Sequence, residues 1–258
     1  MQNRQTIQNV FAIDFDGVLC DSAGEAGTTA WRAGGRLWPD WQGPEPPAAY
    51  LGRFRKLRPV IETGYQAVLL MRLIHDSMDD ETIEREFSER CARIIEERGC
   101  SSDDVARLVS QARSDWIDRD VDDWLGRHSF YPGVLDAFTA KAEHDPVFIL
   151  TTKEERFVRT LIDSRAIRLP GSHIFGLDTG RSKEDILDEL SQRPAFREAR
   201  FHFVEDRLQT LMRVASRSSL DHILLYLAGW GYTTDHDREQ ARAIPRITVW
   251  NAASFLDV

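Results

Sequence analysis

The chain has 258 residues, a length that suits one large domain or two unequal ones. Its 33 basic and 42 acidic side chains give a net charge of −9 at pH 7, a field that repels polyanions and excludes general nucleic-acid or anionic-membrane binding. The 3 cysteines form no C-x-x-C pair, which excludes a disulfide framework and a zinc knuckle and fits a reducing cytoplasm. The start MQNRQTIQNV has no long apolar stretch, and no window reaches the roughly 20 apolar residues of a membrane span, so the expectation is a cytoplasmic, unexported protein.

The first predicted element is a buried strand over residues 10–13, an apolar run that stops abruptly at Asp14, Asp16 and Gly17. The next hundred residues contain no reliable strand. Residues 31–47, rich in Trp and Pro, have no clear period and read as a loop or a hinge-side wall. Tyr65, Val68, Leu69 and Leu73 mark a helix. Ile83, Phe87, Cys91, Ile94 and Ile95 mark another, stopped by Gly99; Ser101 or Ser102 then caps a third, carrying Val105, Leu108, Val109, Ala112 and Trp116. Trp116 and Trp124 read as packing residues. A block this long exceeds the usual βα loop of roughly two to six residues, so residues 21–128 are expected to form an inserted helical domain within a core of residues 1–20 and 129–258. It ends at Tyr131-Pro132-Gly133, where Pro132 suits the first turn of a returning helix.

Further strands are predicted over 147–150, ending in Thr151, over 201–204, ending in Glu205 and Asp206, and over 222–227, ending near Gly229; 247–250 is a weaker candidate edge strand. Between them, Phe157, Val158, Leu161 and Ile162 share a helical face, as do Ile186, Leu187 and Leu190, and Leu208, Leu211, Met212 and Ala215. Alternating β and α means an α/β, Rossmann-like, mostly parallel sheet carrying an all-helical insertion. Ligands of such sheets sit beyond the carboxyl ends of the strands, where Asp14, Asp16, Thr151, Glu205 and Asp206 all fall.

Two carboxylates at i and i+2 on a strand that opens into a turn repel one another, and a divalent cation answers that repulsion; oxygen ligands select Mg²⁺ over zinc. A calcium loop fails because Leu19, not glycine, takes the sixth position from Asp14, and a strand precedes it. A solvated Asp-Gly turn is the plain alternative. No histidine forms H-x-x-x-H or stands beside a Ser or Cys nucleophile signature, which excludes zinc and triad readings. Gly229-Trp230-Gly231-Tyr232 is only a fragment of a dinucleotide fingerprint, since Thr234 replaces its third glycine.

Four segments together resemble the haloacid dehalogenase superfamily of aspartyl-phosphate hydrolases: FAIDFDGVLCDS, VFILTTK, TGRSKEDILDEL and FHFVEDRLQTL. The resemblance implies that Asp14 is the nucleophile and Asp16 the general acid/base. It sets Thr151 against the phosphoryl oxygens, with Thr152 competing for that task, and Lys183 beside them as the neutralising cation. Mg²⁺ would bridge Asp14, the Asp16 carbonyl and Asp206; Glu205 would hold a metal-bound water, orient Lys183 or cap the next helix. Two departures stand out: Thr152 replaces a frequent asparagine, and Thr210 and Leu211 stand where the family often has a further acid. Because dehalogenases of the family lack a carboxylate at the second position, Asp16 implies phosphoryl chemistry. The insertion resembles the family's substrate-selecting cap. Its basic run, Arg53, Arg55, Lys56 and Arg58, reads mostly as a solvated face, with Arg58 expected to recognise an anionic substrate. The expected function is a Mg²⁺-dependent phosphomonoesterase acting on a small phosphorylated metabolite, with no nucleic-acid or membrane partner. A phosphomutase, or a binding module with a weakened metal site, is the alternative.

Overall fold

A computed structural model describes residues 8–41 and 43–256, so most of the opening stretch MQNRQTIQNV lies outside the described residues. The chain divides into two compact units, Met1–Asp21 with Phe130–Val258, and Ser22–Ser129. The first strand, β1 (Asn9–Ile13), is apolar and buried from Val10 onward, as a strand covered on both faces is. Two short strands, β2 (Cys20–Asp21) and β3 (Ser129–Phe130), pair with each other. The remaining strands are β4 (Val147–Leu150), β5 (Ile174–Phe175), β6 (Arg200–Glu205), β7 (Leu224–Ala228) and β8 (Ile247–Trp250). With β1 they form a parallel sheet in the order β5-β4-β1-β6-β7-β8. Chain order runs outward on both sides of β1, which makes the carboxyl end of β1 the topological switch point. The expected strand over 222–227 begins two residues later, since His222 and Ile223 lie in a turn, and β8 is an edge strand as read. The two-residue β5 is too short to leave a pattern in the sequence.

The Ser22–Ser129 unit is helical: α1 (Ala23–Gly34), α2 (Ala48–Leu57), α3 (Gln66–His75), α4 (Asp80–Arg98), α5 (Ser102–Arg119) and α6 (Val121–Gly126). Gly99 stops α4 in the left-handed conformation, and Ser101 starts α5 with a capping box to Asp104. Residues 31–34, read as part of an aperiodic stretch, instead close α1. That helix hides from a periodicity search because it packs through small residues: a Cβ on Gly34 would lie 1.8 Å from the Trp41 ring. Trp41 in turn stacks on Trp31 at 4.7 Å. Fully buried Glu25 accepts hydrogen bonds from Thr29 Oγ1 (2.6 Å), Arg113 Nε (2.7 Å) and Trp124 Nε1 (3.2 Å), so one carboxylate joins α1, α5 and α6.

The sheet is flanked by α7 (Val134–His144), α8 (Glu155–Asp163), α9 (Lys183–Gln192), α10 (Leu208–Ala215), α11 (Asp235–Arg242) and α12 (Ala252–Leu256). Two expectations are corrected here. Pro132 lies outside the returning helix, because Gly133, at φ +76°, takes the N-cap position and α7 starts at Val134. Met212 is 40% exposed, since the buried stripe of α10 runs through Leu208, Leu211 and Val214 and leaves the next position outward. Among the described residues no helix is long and apolar enough to cross a membrane.

Inside the sheet unit, His202 stacks on Phe11 at 4.6 Å, and its ring nitrogens meet Tyr226 Oη and Asn9 Oδ1, each at 3.2 Å. Burial, reinforced by Arg200 and Lys141, pushes the imidazole from 6.5 down to about 4. The unfolded chain therefore binds more protons than the native one between these values, and stability rises with pH across that window before levelling above 6.5. Urea unfolding of the wild type should lose about 3 kcal/mol more between pH 6.5 and 4 than unfolding of His202→Gln. Parallel pH profiles would contradict this.

Candidate active site

The sheet register assembles the site. Ile13 pairs with Ile149 on one side and Val204 on the other, so the ends of β1, β4 and β6 reach one level and deliver Asp14, Thr151, Glu205 and Asp206 together. Asp14 N donates to Val204 O at 2.9 Å, fixing the nucleophile candidate's backbone to the neighbouring strand. The chain then turns sharply at Gly17, whose φ of +89° favours glycine. Space demands glycine as well: a Cβ on Gly17 would lie 1.9 Å from Asp206 Oδ2. Gly231 fills the same crowded corner, where a Cβ would lie 2.2 Å from Gly17 O and 2.6 Å from Asp206 Cβ. This close approach lets Tyr232 N donate to Asp206 Oδ2 at 2.8 Å, while Tyr232 Oη donates to Asp21 Oδ1 at 2.7 Å.

Lys183 opens α9 behind the Ser182 N-cap, whose hydroxyl accepts from Asp185 N at 3.1 Å. Its Nζ lies 2.7 Å from Asp14 Oδ1 and 2.6 Å from Glu205 Oε2. Burial works to lower the ammonium pKa, but Asp14 and Glu205 outweigh it and hold the lysine above its ordinary value. Burial dominates at Asp14 and pushes its carboxyl from 3.8 up to about 7; Lys183 opposes the rise, and Glu205 and Asp16 add to it. The other Glu205 oxygen, Oε1, accepts from Arg207 N at 3.0 Å, so both oxygens of this buried side chain are engaged within the site.

Asp16 Oδ1 lies 3.2 Å from Lys153 Nζ. Thr151 is buried at the end of β4; its N donates to Phe175 O at 3.0 Å and its Oγ1 accepts from Lys153 N at 3.1 Å, which leaves the hydroxyl proton to be donated elsewhere. Thr152 is exposed, so of the two threonines only Thr151 is buried with this cluster. Arg58 belongs to the helical unit, where its guanidinium donates to Ile61 O at 3.2 Å. Its neighbours Arg53 and Lys56 share Asp80, at 2.7 and 2.8 Å. Lys153 and the Gly231-Tyr232 turn are the site components that sequence reasoning passed over, although VFILTTK and GWGY contain them.

The donor set suits a hard cation. Asp14, Glu205 and Asp206 each offer an oxygen, and these atoms lie within 4.8 Å of one another. Four carboxylates, those of Asp14, Asp16, Glu205 and Asp206, meet the two ammonium groups of Lys153 and Lys183, a formal excess of two negative charges. Oxygen donors carrying that excess match a divalent ion such as Mg²⁺.

No family model matches the sequence, and no curated protein matches it. Solved structures match along almost the whole chain. A haloacid dehalogenase-like family hydrolase from Streptococcus pneumoniae has 12% identity and a TM-score of 0.59, covering 98% of this chain and 99% of its own. A predicted phosphatase from Clostridium acetobutylicum has 14% identity and a TM-score of 0.58, covering 97% of each chain. A predicted phosphoglycolate phosphatase from Haemophilus somnus has 12% identity and a TM-score of 0.58, covering 99% of each. The parallel sheet switching at β1, the helical unit inserted after that strand and these matches establish that the chain has the haloacid dehalogenase-like fold.

Proposed function

We propose that the chain is a phosphomonoesterase that passes the phosphoryl group of a small phosphate ester to water through Asp14. The observation that carries this reading is Lys183, held between Asp14 and Glu205 at the sheet switch point with Asp206 alongside. A phosphomonoester resists attack because its oxygens are already negative, so a catalyst needs charge neutralisation, an in-line nucleophile and a protonated leaving oxygen. In the first step an Asp14 oxygen bonds to phosphorus, the phosphorus–oxygen ester bond breaks and the leaving alkoxide takes a proton from Asp16. In the second, water attacks the aspartyl-phosphate, Asp16 takes the water's proton, and phosphate leaves with Asp14 restored. Lys183 and the Thr151 hydroxyl neutralise and orient the phosphoryl oxygens. Glu205 serves by holding Lys183. Asp14, Asp206 and the Asp16 carbonyl would hold Mg²⁺, which when bound neutralises the charge that the two lysines leave over. Phosphatase names among the structural neighbours agree with this reading, and free thiols at Cys20, Cys91 and Cys100 suit a reducing, cytoplasmic setting.

The test is a panel of phosphate esters assayed with Mg²⁺ and after chelation. The expected result is phosphate release that depends on the metal. Halide release without phosphate, isomerised sugar phosphate without free phosphate, or no turnover of any ester would each overturn the proposal.

A further inference from the structure

We infer that Glu184 is a positioning residue for Lys183: through the hydrogen bond it accepts from Arg213 on α10, it holds the first turn of α9 so that the ammonium stays between Asp14 and Glu205. The inference rests on the phosphomonoesterase reading and deepens it. Lys183 is the cation shared by the nucleophile candidate and Glu205, and it is the first residue of α9. A lysine carries its charge on a flexible four-carbon stem, so the helix that bears it has to supply the placement that the side chain does not.

Glu184, the next residue, is buried and meets the neighbouring helix. Its Oε1 accepts from Arg213 Nε at 2.8 Å, and Arg213 Nη2 donates to Thr210 Oγ1 at 3.2 Å. Thr210 is buried as well, and its hydroxyl, in place of a further acid, meets this guanidinium. Successive residues of α9 thus grip both ends of one segment: Lys183 meets Glu205 at the end of β6, and Glu184 meets Arg213 on the helix that follows. The outer pairs of α9 are less able to do this. Asp185 and Asp188 meet Arg217 at 2.7 and 3.8 Å, but the Asp185 side chain is 53% exposed, and ion pairs of that kind hold little. The Glu184 side chain is 12% exposed, so its pair is better shielded from water and salt, and it lies in the turn that carries Lys183.

Lys183 acts on the phosphoryl group, which every substrate shares, so displacing it slows all esters alike. Glu184→Ala should lower kcat/KM about 10-fold for an alkyl phosphate and for nitrophenyl phosphate, less than the roughly 100-fold that a full ångström of misplacement costs. Glu184→Gln, whose amide oxygen can still accept from Arg213 Nε, should stay within about 2-fold of the wild type. Arg213→Ala removes the same pair from its half-exposed side and should reproduce the fall even where Glu184→Ala folds poorly. In a Lys183→Met background Glu184→Ala should cost less than about 2-fold, because the glutamate acts through the lysine. A crystal structure of Glu184→Ala reads the same point without turnover: the distance from Lys183 Nζ to Glu205 Oε2, 2.6 Å in the wild type, should lengthen. Melting temperatures of all variants report folding independently of rate. Unchanged rates in both alanine variants, a fall in Glu184→Gln equal to that in Glu184→Ala, an undiminished effect in the Lys183→Met background, or an unmoved Lys183 Nζ overturns the inference while the wild type still hydrolyses both esters. A wild type that hydrolyses neither overturns the phosphomonoesterase reading and this inference with it.

Discussion

Asp14→Asn should reduce turnover by a factor on the order of 10⁴ or more, since an amide cannot supply the attacking oxygen and the remaining groups only bind and orient. The same substitution should stabilise the fold in metal-free buffer. The native carboxyl titrates near 7 against 3.8 for the ordinary group, with burial as the principal cause. A raised carboxyl pKa contributes stability that is complete below 3.8 and is lost as pH rises through 7, so the wild type carries the full cost of the buried charge only above that value. Asparagine removes the cost, and Glu205 still engages Lys183. The melting temperature of the variant should therefore exceed that of the wild type at pH 8, with the gap closing toward pH 4. Turnover retained within about tenfold would remove Asp14 from the nucleophile role.

The second large effect is expected in the helical unit, at a residue with no assigned part in the chemistry. Glu25→Ala should destabilise the helical unit by about 3–5 kcal/mol, because Arg113 would remain buried without the carboxylate that compensates it. Thr29 and Trp124 lose their acceptor in the same change. The measurement is convenient, since Trp31, Trp38, Trp41, Trp116 and Trp124, five of the 7 tryptophans of the chain, lie in this unit. Urea unfolding followed by fluorescence should show a lower midpoint in Glu25→Ala and a smaller drop in Glu25→Gln, which keeps an acceptor. A shift below about 1 kcal/mol in the alanine variant would contradict this, because it would mean that Arg113 is not left uncompensated when the carboxylate is removed.

What the sequence discloses divides along the range of the interactions involved. β1, β4 and β6 are buried on both faces, so largely apolar runs betray them, interrupted in β6 only by His202, and the polar residue ending each run marks the rim of the site. Lys183 is legible because Ser182 and Asp185 form a local helix start. Lys153 has no such local mark: its meaning comes from Asp16, brought alongside by the pairing of β1 with β4. Gly231 shows the same limit, since its small size matters only against Gly17 and Asp206. α1 escapes for the opposite reason, as it packs through glycine and alanine and presents no large-residue period. Met212 is misplaced by one helical step because a short amphipathic helix admits more than one stripe until the sheet selects it.

A single turnover with a phosphate ester labelled in its phosphoryl group, stopped in acid and digested, asks the central question outright. The label should appear on the peptide that contains Asp14, as a hydroxylamine-labile acyl phosphate, and should be absent from Asp14→Asn. Complete release of labelled phosphate with no protein-bound label at any time, or label on a peptide lacking Asp14, would contradict the account.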